Sequence, residues 1–436
     1  MKVVTRFPPS PTGYFHIGSA RTALFNHLFA AHHGGTMYLR FEDTDKERCK
    51  KEYEDDILAG LAWLNIPYVL PEVFRQSERT DVYTKHVRTL LEKGSAYEAE
   101  EATGGGGKKV IRFKNPNAAI VFDDLVRGQV SFDTSDLKDF VIAKGIDEPL
   151  YHLAVVVDDH EMSVTHVVRG EDHISNTPRQ ILILEALGFA RPQYAHIPLI
   201  LAPDRSKLSK RHGAVSINEY RAEGFLPEAL VNYLALLGWN PGSERELFSL
   251  EELAHVFSIE QVQKHGAIFD TEKLRWFNHE YMKNLGDDDF AQRLKEVCGV
   301  SADPALVPLL KERARTLKET TELVKNGEFS FMSDSIEYDV QLLTKGAKTD
   351  VSSATKHLTV VSEMLAKFSE NITADAVREA IFPYATQEGR GAVLWPLRVA
   401  LSGREKSPDP FIIASLIGKE RTLQRITGAL QKLGSV

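Results

Sequence analysis

The opening of the chain restricts its fold more than any other segment. A β-branched run, Val3-Val4-Thr5-Arg6-Phe7, meets Pro8-Pro9-Ser10-Pro11-Thr12-Gly13, and Tyr14-Phe15-His16-Ile17-Gly18-Ser19 follows. Proline cannot donate to a strand ladder, so the prolines end a buried strand and force a turn. Beyond the turn Leu24, Phe25, Leu28 and Phe29 form one helical face, Ser19 is a candidate cap, and Gly34-Gly35 stop the helix. Met37–Phe41 reads as a second strand, and Ile57, Leu58, Leu61 and Leu64 as a second helix face before Pro67. Strand, helix, strand, helix begins a parallel α/β sheet. Ligands of such sheets bind outside the carboxyl ends of the strands, where Arg6 and Glu42 both fall.

A length of 436 residues calls for two to four domains. A composition that is 43% hydrophobic and 26% charged supplies several cores. The formal net charge of −8 gives no global attraction for nucleic acid, so any such partner must be held by local basic patches. Two distant cysteines, Cys49 and Cys298, argue against a disulfide framework and a Cys-rich zinc site, and for a reducing cytoplasmic setting. No apolar run has the length of a signal peptide or a membrane span.

From about Tyr97 the pattern changes. Gly104-Gly105-Gly106-Gly107 marks a flexible join, with strand-like pieces at Val110–Phe113 and Val130–Phe132 and the apolar stretch Leu150–His160 beyond. This reads as an α+β insertion that returns to the first sheet. Ile197–Leu201 is a further buried-strand candidate leading into Lys207-Leu208-Ser209-Lys210-Arg211. After about residue 220 helical patterns dominate, including Leu309, Leu310, Ala314 and Leu317 in one run and Ile412, Ile413, Leu416 and Ile417 in another.

Three groups of residues bear chemistry. A turn before a helix N-terminus is an anion site, because unpaired N–H groups and the helix dipole both favour phosphate. His16 stands there, and Gly18 admits close approach to the backbone. Lys207 and Lys210, three apart, can bracket a triphosphate and neutralise charge on a departing pyrophosphate. Arg6, Glu42, Tyr151 and Arg169 read from spacing alone as surface salt bridges; brought together they would suit a dicarboxylic amino acid, with one carboxylate for an ammonium and two guanidinium forks for two carboxylates. Asp158, Asp159, His160, His166 and His173 match no zinc spacing and read as structural hydrogen bonding.

These segments resemble the class I aminoacyl-tRNA synthetases, and among them the bacterial-type glutamyl-tRNA synthetase family. The resemblance is carried by Arg6–Gly13, His16-Ile17-Gly18-Ser19, Arg40-Phe41-Glu42-Asp43-Thr44-Asp45, Tyr151-His152-Leu153-Ala154, Arg169-Gly170-Glu171-Asp172-His173 and Lys207–Arg211. Gly224–Leu230 and Pro396–Gly403 extend it over nearly the whole chain. It implies an α/β fold, a Rossmann-type parallel-sheet catalytic domain with an α+β connective insertion, followed by helical C-terminal domains. The implied boundaries are 1–96 and 166–218 for the two halves of the catalytic domain and 97–165 for the insertion. A stem-contact helical domain would span 219–290 and a helical anticodon-binding region 291–436.

The resemblance also implies activation of glutamate by ATP with Mg²⁺ and transfer of the glutamyl group to the terminal adenosine of tRNA(Glu), with tRNA needed for efficient activation. By matching positions, His16, Lys207 and Lys210 would be catalytic. Pro9, Thr12, Gly13, His16, Gly18, Ser19, Lys207, Leu208, Ser209 and Lys210 would bind ATP. Arg6, Ser10, Glu42, Tyr151 and Arg169 would bind glutamate, with Arg169 favouring glutamate over glutamine. The family's second histidine of the first motif is Ser19 here, and Glu98–Lys109 replaces a much longer connective segment. That segment lacks the ligands some relatives use for zinc, so no metal site is expected. Lys311 aligns loosely with an anticodon-reading arginine, leaving tRNA(Gln) open as a second acceptor. A monomer is expected. A related glutamyl transferase acting on a queuosine-modified tRNA lacks an anticodon-binding region, which residues from about 290 onward supply here.

Overall fold

The computed structural model describes residues 2–70, 75–103, 106–208, 216–346 and 350–435. The chain divides into two compact units, Met1–Asn284 and Leu285–Val436.

In the first unit β1 (Val4–Phe7) leads through the proline turn to α1 (Ile17–His32), and β2 (Thr36–Leu39) returns parallel to β1. Its register pairs Arg6 with Tyr38. The helix begins a turn earlier than Ser19: His16 is the N-cap, its Nδ1 accepting the Ser19 N–H at 3.2 Å. An imidazole nitrogen can do what a Ser or Asp oxygen does at this position. Gly34 (φ +61°) turns the chain after α1, as the glycine pair suggests. Next come α2 (Lys51–Trp63) and α3 (Thr80–Glu92).

The segment that follows is built of hairpins. β3 (Ala96–Thr103) pairs antiparallel with β4 (Gly106–Phe113), Thr103 opposite Gly106, so the glycines Gly106 and Gly107 sit in a strand rather than a loose join. Gly104 and Gly105 lie outside the described residues. β5 (Ala119–Asp124) and β6 (Gly128–Asp133) form a second hairpin, and β7 (Phe140–Gly145) and β8 (Glu148–Pro149) extend the first. The apolar stretch Leu150–His160 forms α4 (Tyr151–Glu161).

The chain then returns through β9 (His166–Gly170), α5 (Thr177–Leu187) and β10 (Gln193–Ile197). β10 runs parallel to β9 on one side and to β5 on the other. Thr165, just before β9, donates its N–H to the Val4 carbonyl and takes the Val4 N–H on its hydroxyl, which sets β9 beside β1. The strand sequence is therefore β2, β1, β9, β10, β5. The connections run outward in opposite directions from the β1/β9 seam, and ligands bind at such a switch point.

The strand expected over Ile197–Leu201 is split. β10 ends at Ile197, Pro198 interrupts, and β11 (Ile200–Leu201) pairs instead with β12 (Ala267–Ile268). A residue without an N–H cannot carry the ladder across. The core packs α1 between the sheet and the helices α6 (Pro227–Leu236) and α7 (Leu250–Val256).

The second unit is helical among its described residues. The expected run Leu309–Leu317 is two helices, Val307–Arg313 and Leu317–Lys325. Ala314 is extended between them and Thr316 caps the second through the Glu319 N–H. Apolar spacing carries through such a restart, so periodicity alone misses it. Ile412–Ile417 lies in Pro410–Gly434, interrupted at Gly418 (φ +80°), and packs against the preceding helices Val351–Ala366, Ala374–Glu388 and Arg390–Ser402.

Candidate active site

A cavity of 1480 Å³ opens at the carboxyl ends of β1 and β9 and at the N-terminus of α1. A pocket of about 300–1,000 Å³ suffices for one drug-sized ligand, so this one has room for a nucleotide and an amino acid together. Its lining joins residues far apart in sequence: Arg6 and Ser10 from the first strand and turn, His16, Gly18 and Ser19 from α1, and Glu42 after β2. Tyr151, Arg169 and Lys207 line it as well.

Its floor is a buried charge network. Arg6, 1% exposed, donates from Nε to both oxygens of Asp159 at 3.1 and 3.3 Å. Arg40 donates to the same carboxylate at 2.7 Å and to Glu42 Oε1 at 3.0 Å. Asp158 receives Arg79 Nε, Gln76 Nε2 and the Tyr83 hydroxyl at 2.8–2.9 Å. Buried ions need such partners, because desolvation would otherwise expel them. Burial pushes Asp159 up, but the two arginines outweigh it and hold its carboxyl below the ordinary range. Burial dominates at Glu42, whose carboxyl is raised despite Arg40. Arg6 keeps one buried nitrogen, Nη1, without a hydrogen-bond partner. An unsatisfied buried guanidinium nitrogen is donor capacity that the fold itself leaves unused.

Arg169 is bound differently. It is 5% exposed and donates to Gln180 Oε1 (2.8 Å), Thr177 Oγ1 (2.8 Å) and His196 Nε2 (3.2 Å). All three are neutral acceptors. Among the described residues no carboxylate pairs with it, so its charge remains available to the cavity. Tyr151, at the start of α4, hydrogen-bonds His173 Nδ1 at 3.1 Å, and burial pushes its hydroxyl up to about 12.

At the other end of the cavity the Ser19 N–H fixes His16 Nδ1 as an acceptor, so Nε2 carries the proton; it faces Ser19 Oγ at 3.1 Å. Desolvation and then Lys207 lower the His16 pKa, which keeps the ring neutral. A Cβ on Gly18 would stand 3.1 Å from His16 Nδ1, so only glycine leaves the ring unpressed. Lys207 Nζ lies 3.9 Å from Asp172 and is otherwise open to solvent. Ser209, Lys210 and Arg211 lie outside the described residues.

Of the other residues expected at the site, Pro9, Gly13 and Leu208 also line the cavity. Thr12 does not; it is exposed, its N–H bonded to the Ser10 carbonyl. The candidate metal side chains are occupied elsewhere. Asp158 and Asp159 serve arginines, His160 stacks on Phe189 at 3.6 Å, His166 bonds Gln193, and His173 bonds Tyr151 and Asn176. Among the described residues no group of three or more His, Cys, Asp or Glu could hold a metal ion. In the second unit, Lys311 is only 9% exposed, and its ammonium is taken by the Leu285 carbonyl (2.5 Å) and Asp287 (2.9 Å). It braces that unit.

The sequence reading missed how the arginines are held: Arg40 sharing the Asp159 carboxylate with Arg6, and Thr177, Gln180 and His196 on Arg169 with Asp124 behind His196. Their only sequence signal is polarity inside apolar segments, such as His196 in Tyr194-Ala195-His196-Ile197.

A parallel sheet with this turn after its first strand and this cavity at its switch point defines a class. The family model described as "tRNA synthetases class I (E and Q), catalytic domain" matches residues 2–104 and 98–276, and that of an anticodon binding domain matches 260–430. Within that class the chain belongs to the glutamate–tRNA ligase family, whose members are ATP-dependent ligases. The glutamate–tRNA ligase of Oleidesulfovibrio alaskensis is 41% identical over 467 residues, covering 98% of this chain and 99% of that one. The one from Aquifex aeolicus is 41% identical, covering 99% of each. A crystal structure of a glutamate tRNA ligase from Elizabethkingia meningosepticum, in complex with its amino acid, superposes with a TM-score of 0.85. It is 31% identical and covers 99% of this chain and all of that one. Among the described residues no helix is long and apolar enough to cross a membrane.

Proposed function

We propose that the chain joins L-glutamate to ATP, releasing pyrophosphate, and passes the glutamyl group to the 3′-terminal adenosine of tRNA(Glu). The observation that carries the choice of amino acid is Arg169, a buried guanidinium held, among the described residues, by neutral acceptors alone. Such a cation discriminates against a neutral amide, which would leave it uncompensated. Arg6, with Ser10 and Tyr151, would take the remaining carboxylate contacts, and Glu42 the ammonium.

The substrate α-carboxylate is already a nucleophile, so no general base is required. Its oxygen forms the bond to the α-phosphorus while the bond to the β-phosphate oxygen breaks, and pyrophosphate leaves with that electron pair. Catalysis is then alignment plus neutralisation of charge on phosphorus. The His16 Nε2–H and the Lys207 ammonium would serve that task, both residues lining the cavity, and Lys210 is assigned with them from its motif. Pro9, Thr12, Gly13, Gly18, Ser19, Leu208 and Ser209 would contact the nucleotide. Mg²⁺ would enter on the ATP phosphates and offset their charge. In the second step a hydroxyl of the terminal adenosine attacks the carbonyl of the adenylate and AMP departs. The protein would act as a cytoplasmic monomer, with bound tRNA supporting activation.

His16 has two duties that variants separate. His16→Ala removes both cap and donor; it should cost about 1 kcal/mol of stability and about 10²-fold in the rate of adenylate formation. His16→Asp keeps an acceptor for the Ser19 N–H and brings no donor, so stability should return while the rate stays low. Urea unfolding and single-turnover kinetics read the two effects, and recovery of the rate in His16→Asp would remove His16 from the phosphate site.

Charging of purified tRNA(Glu) and tRNA(Gln) with labelled glutamate tests the acceptor. Label is expected on tRNA(Glu). Equal labelling of both would replace the reading with a non-discriminating ligase.

A further inference from the structure

We infer that Asp124 and His196 form a buried strut that sets how Arg169 is presented to the side-chain carboxylate of the substrate, making both positioning residues for amino-acid selection. The inference rests on the assignment of Arg169 to that carboxylate.

The strut follows from strand register. Arg169 on β9 stands opposite His196 on β10, and Asp124 on β5 pairs with Tyr194, two residues before His196. Side chains two apart on a strand share a face, so the three groups meet in a row across three adjacent strands. Asp124 Oδ2 lies 2.6 Å from His196 Nδ1, and both side chains are fully buried. The same carboxylate accepts the backbone N–H groups of Val126, Arg127 and His196.

A carboxylate facing Nδ1 requires the proton there, which leaves the Nε2 lone pair as an acceptor. That nitrogen faces two donors, Arg169 Nε at 3.2 Å and the Thr177 hydroxyl at 3.1 Å. Thr177 also accepts from Arg169 Nη2, so two edges of the guanidinium are fixed by one connected set of bonds. The other tautomer, or an imidazolium, would aim a proton at the guanidinium. Burial, the leading influence on His196, lowers its pKa and supports the neutral ring. Burial works against the charge of Asp124, but the His196 bond and the N–H groups hold its carboxyl below the ordinary range.

The chemistry of the strut matters as much as its shape. A carboxylate placed directly on Arg169 would orient it equally well but would neutralise it. A neutral imidazole orients the guanidinium and leaves its charge for the substrate. Asp124 acts at one remove, selecting the tautomer without pairing with the arginine.

The test is ATP–pyrophosphate exchange in the presence of tRNA, measured on the full chain as wild type, Arg169→Ala, His196→Phe, His196→Gln and Asp124→Asn, with thermal unfolding alongside. His196→Phe should raise the KM for glutamate about tenfold, with the KM for ATP within about twofold of wild type. His196→Gln should recover most of the loss, because its amide oxygen accepts from Arg169 while its NH₂ donates to Asp124. Asp124→Asn puts an N–H against Nδ1, drives the proton to Nε2, and should raise the glutamate KM about as much as His196→Phe. A folded His196→Phe with a wild-type glutamate KM overturns the strut, as does a parallel rise in both KM values. Should His196→Phe not fold, an unchanged glutamate KM in Asp124→Asn overturns it instead. If Arg169→Ala itself leaves the glutamate KM unaltered, the assignment of Arg169 fails rather than the strut.

Discussion

Replacing Arg169 by alanine is expected to lower kcat/KM for glutamate about 10²–10³-fold, corresponding to about 3–4 kcal/mol, while the KM for ATP stays within about twofold. The size follows from the setting. The guanidinium is almost wholly buried, and its removal strands three acceptors on Gln180, Thr177 and His196 as well as the substrate carboxylate. Arg169→Lys should rescue little, because a single ammonium cannot reproduce a planar fork with three simultaneous partners. Glutamine should lose far less than glutamate, so the preference between them narrows. Steady-state exchange kinetics with both amino acids measure this, and equal loss for glutamate and ATP would show that Arg169 serves the fold alone.

The second large effect concerns stability. Asp159→Ala leaves Arg6 and Arg40, both essentially unexposed, without their shared carboxylate. Removing one partner of a buried ion cluster typically costs about 3–5 kcal/mol, and a fall of about 10 °C in the first thermal transition is expected. Asp159→Asn keeps the acceptor oxygens in part and should fall between. The pH dependence has a definite direction. The folded-state pKa of Asp159 is depressed, so its contribution is fully present above the ordinary carboxylate range and is lost as pH falls through the folded value. Acid should therefore narrow the gap between wild type and Asp159→Ala. A variant as stable as wild type at neutral pH would mean that Glu42 and Asp158 suffice to hold the two arginines.

The proline-ended first strand, the apolar face of α1 and the return strand were legible because each depends on local chemistry: a missing N–H, a 3.6-residue period, a glycine stop. The grouping of Arg6, Glu42, Tyr151 and Arg169 in one cavity was reached through a resemblance of motifs. Nothing in their spacing requires it, since β9 returns to the sheet only after several intervening strands and helices. What stayed hidden is what tertiary register creates. That Asp159 spans Arg6 and Arg40, or that His196 lands opposite Arg169, follows from which strands become neighbours. The cap at His16 was missed for a different reason: an imidazole in that position is rarer than a hydroxyl, and Ser19 competes for the role in the sequence. The helical restart at Ala314–Thr316 escaped because the apolar spacing runs through it.

The most direct measurement is ATP–pyrophosphate exchange with glutamate and with glutamine, each with and without tRNA(Glu). Exchange with glutamate in the presence of tRNA, and little or none with glutamine, is the predicted result. Exchange supported by glutamine but not glutamate, or none with either amino acid even when tRNA is present, would contradict it.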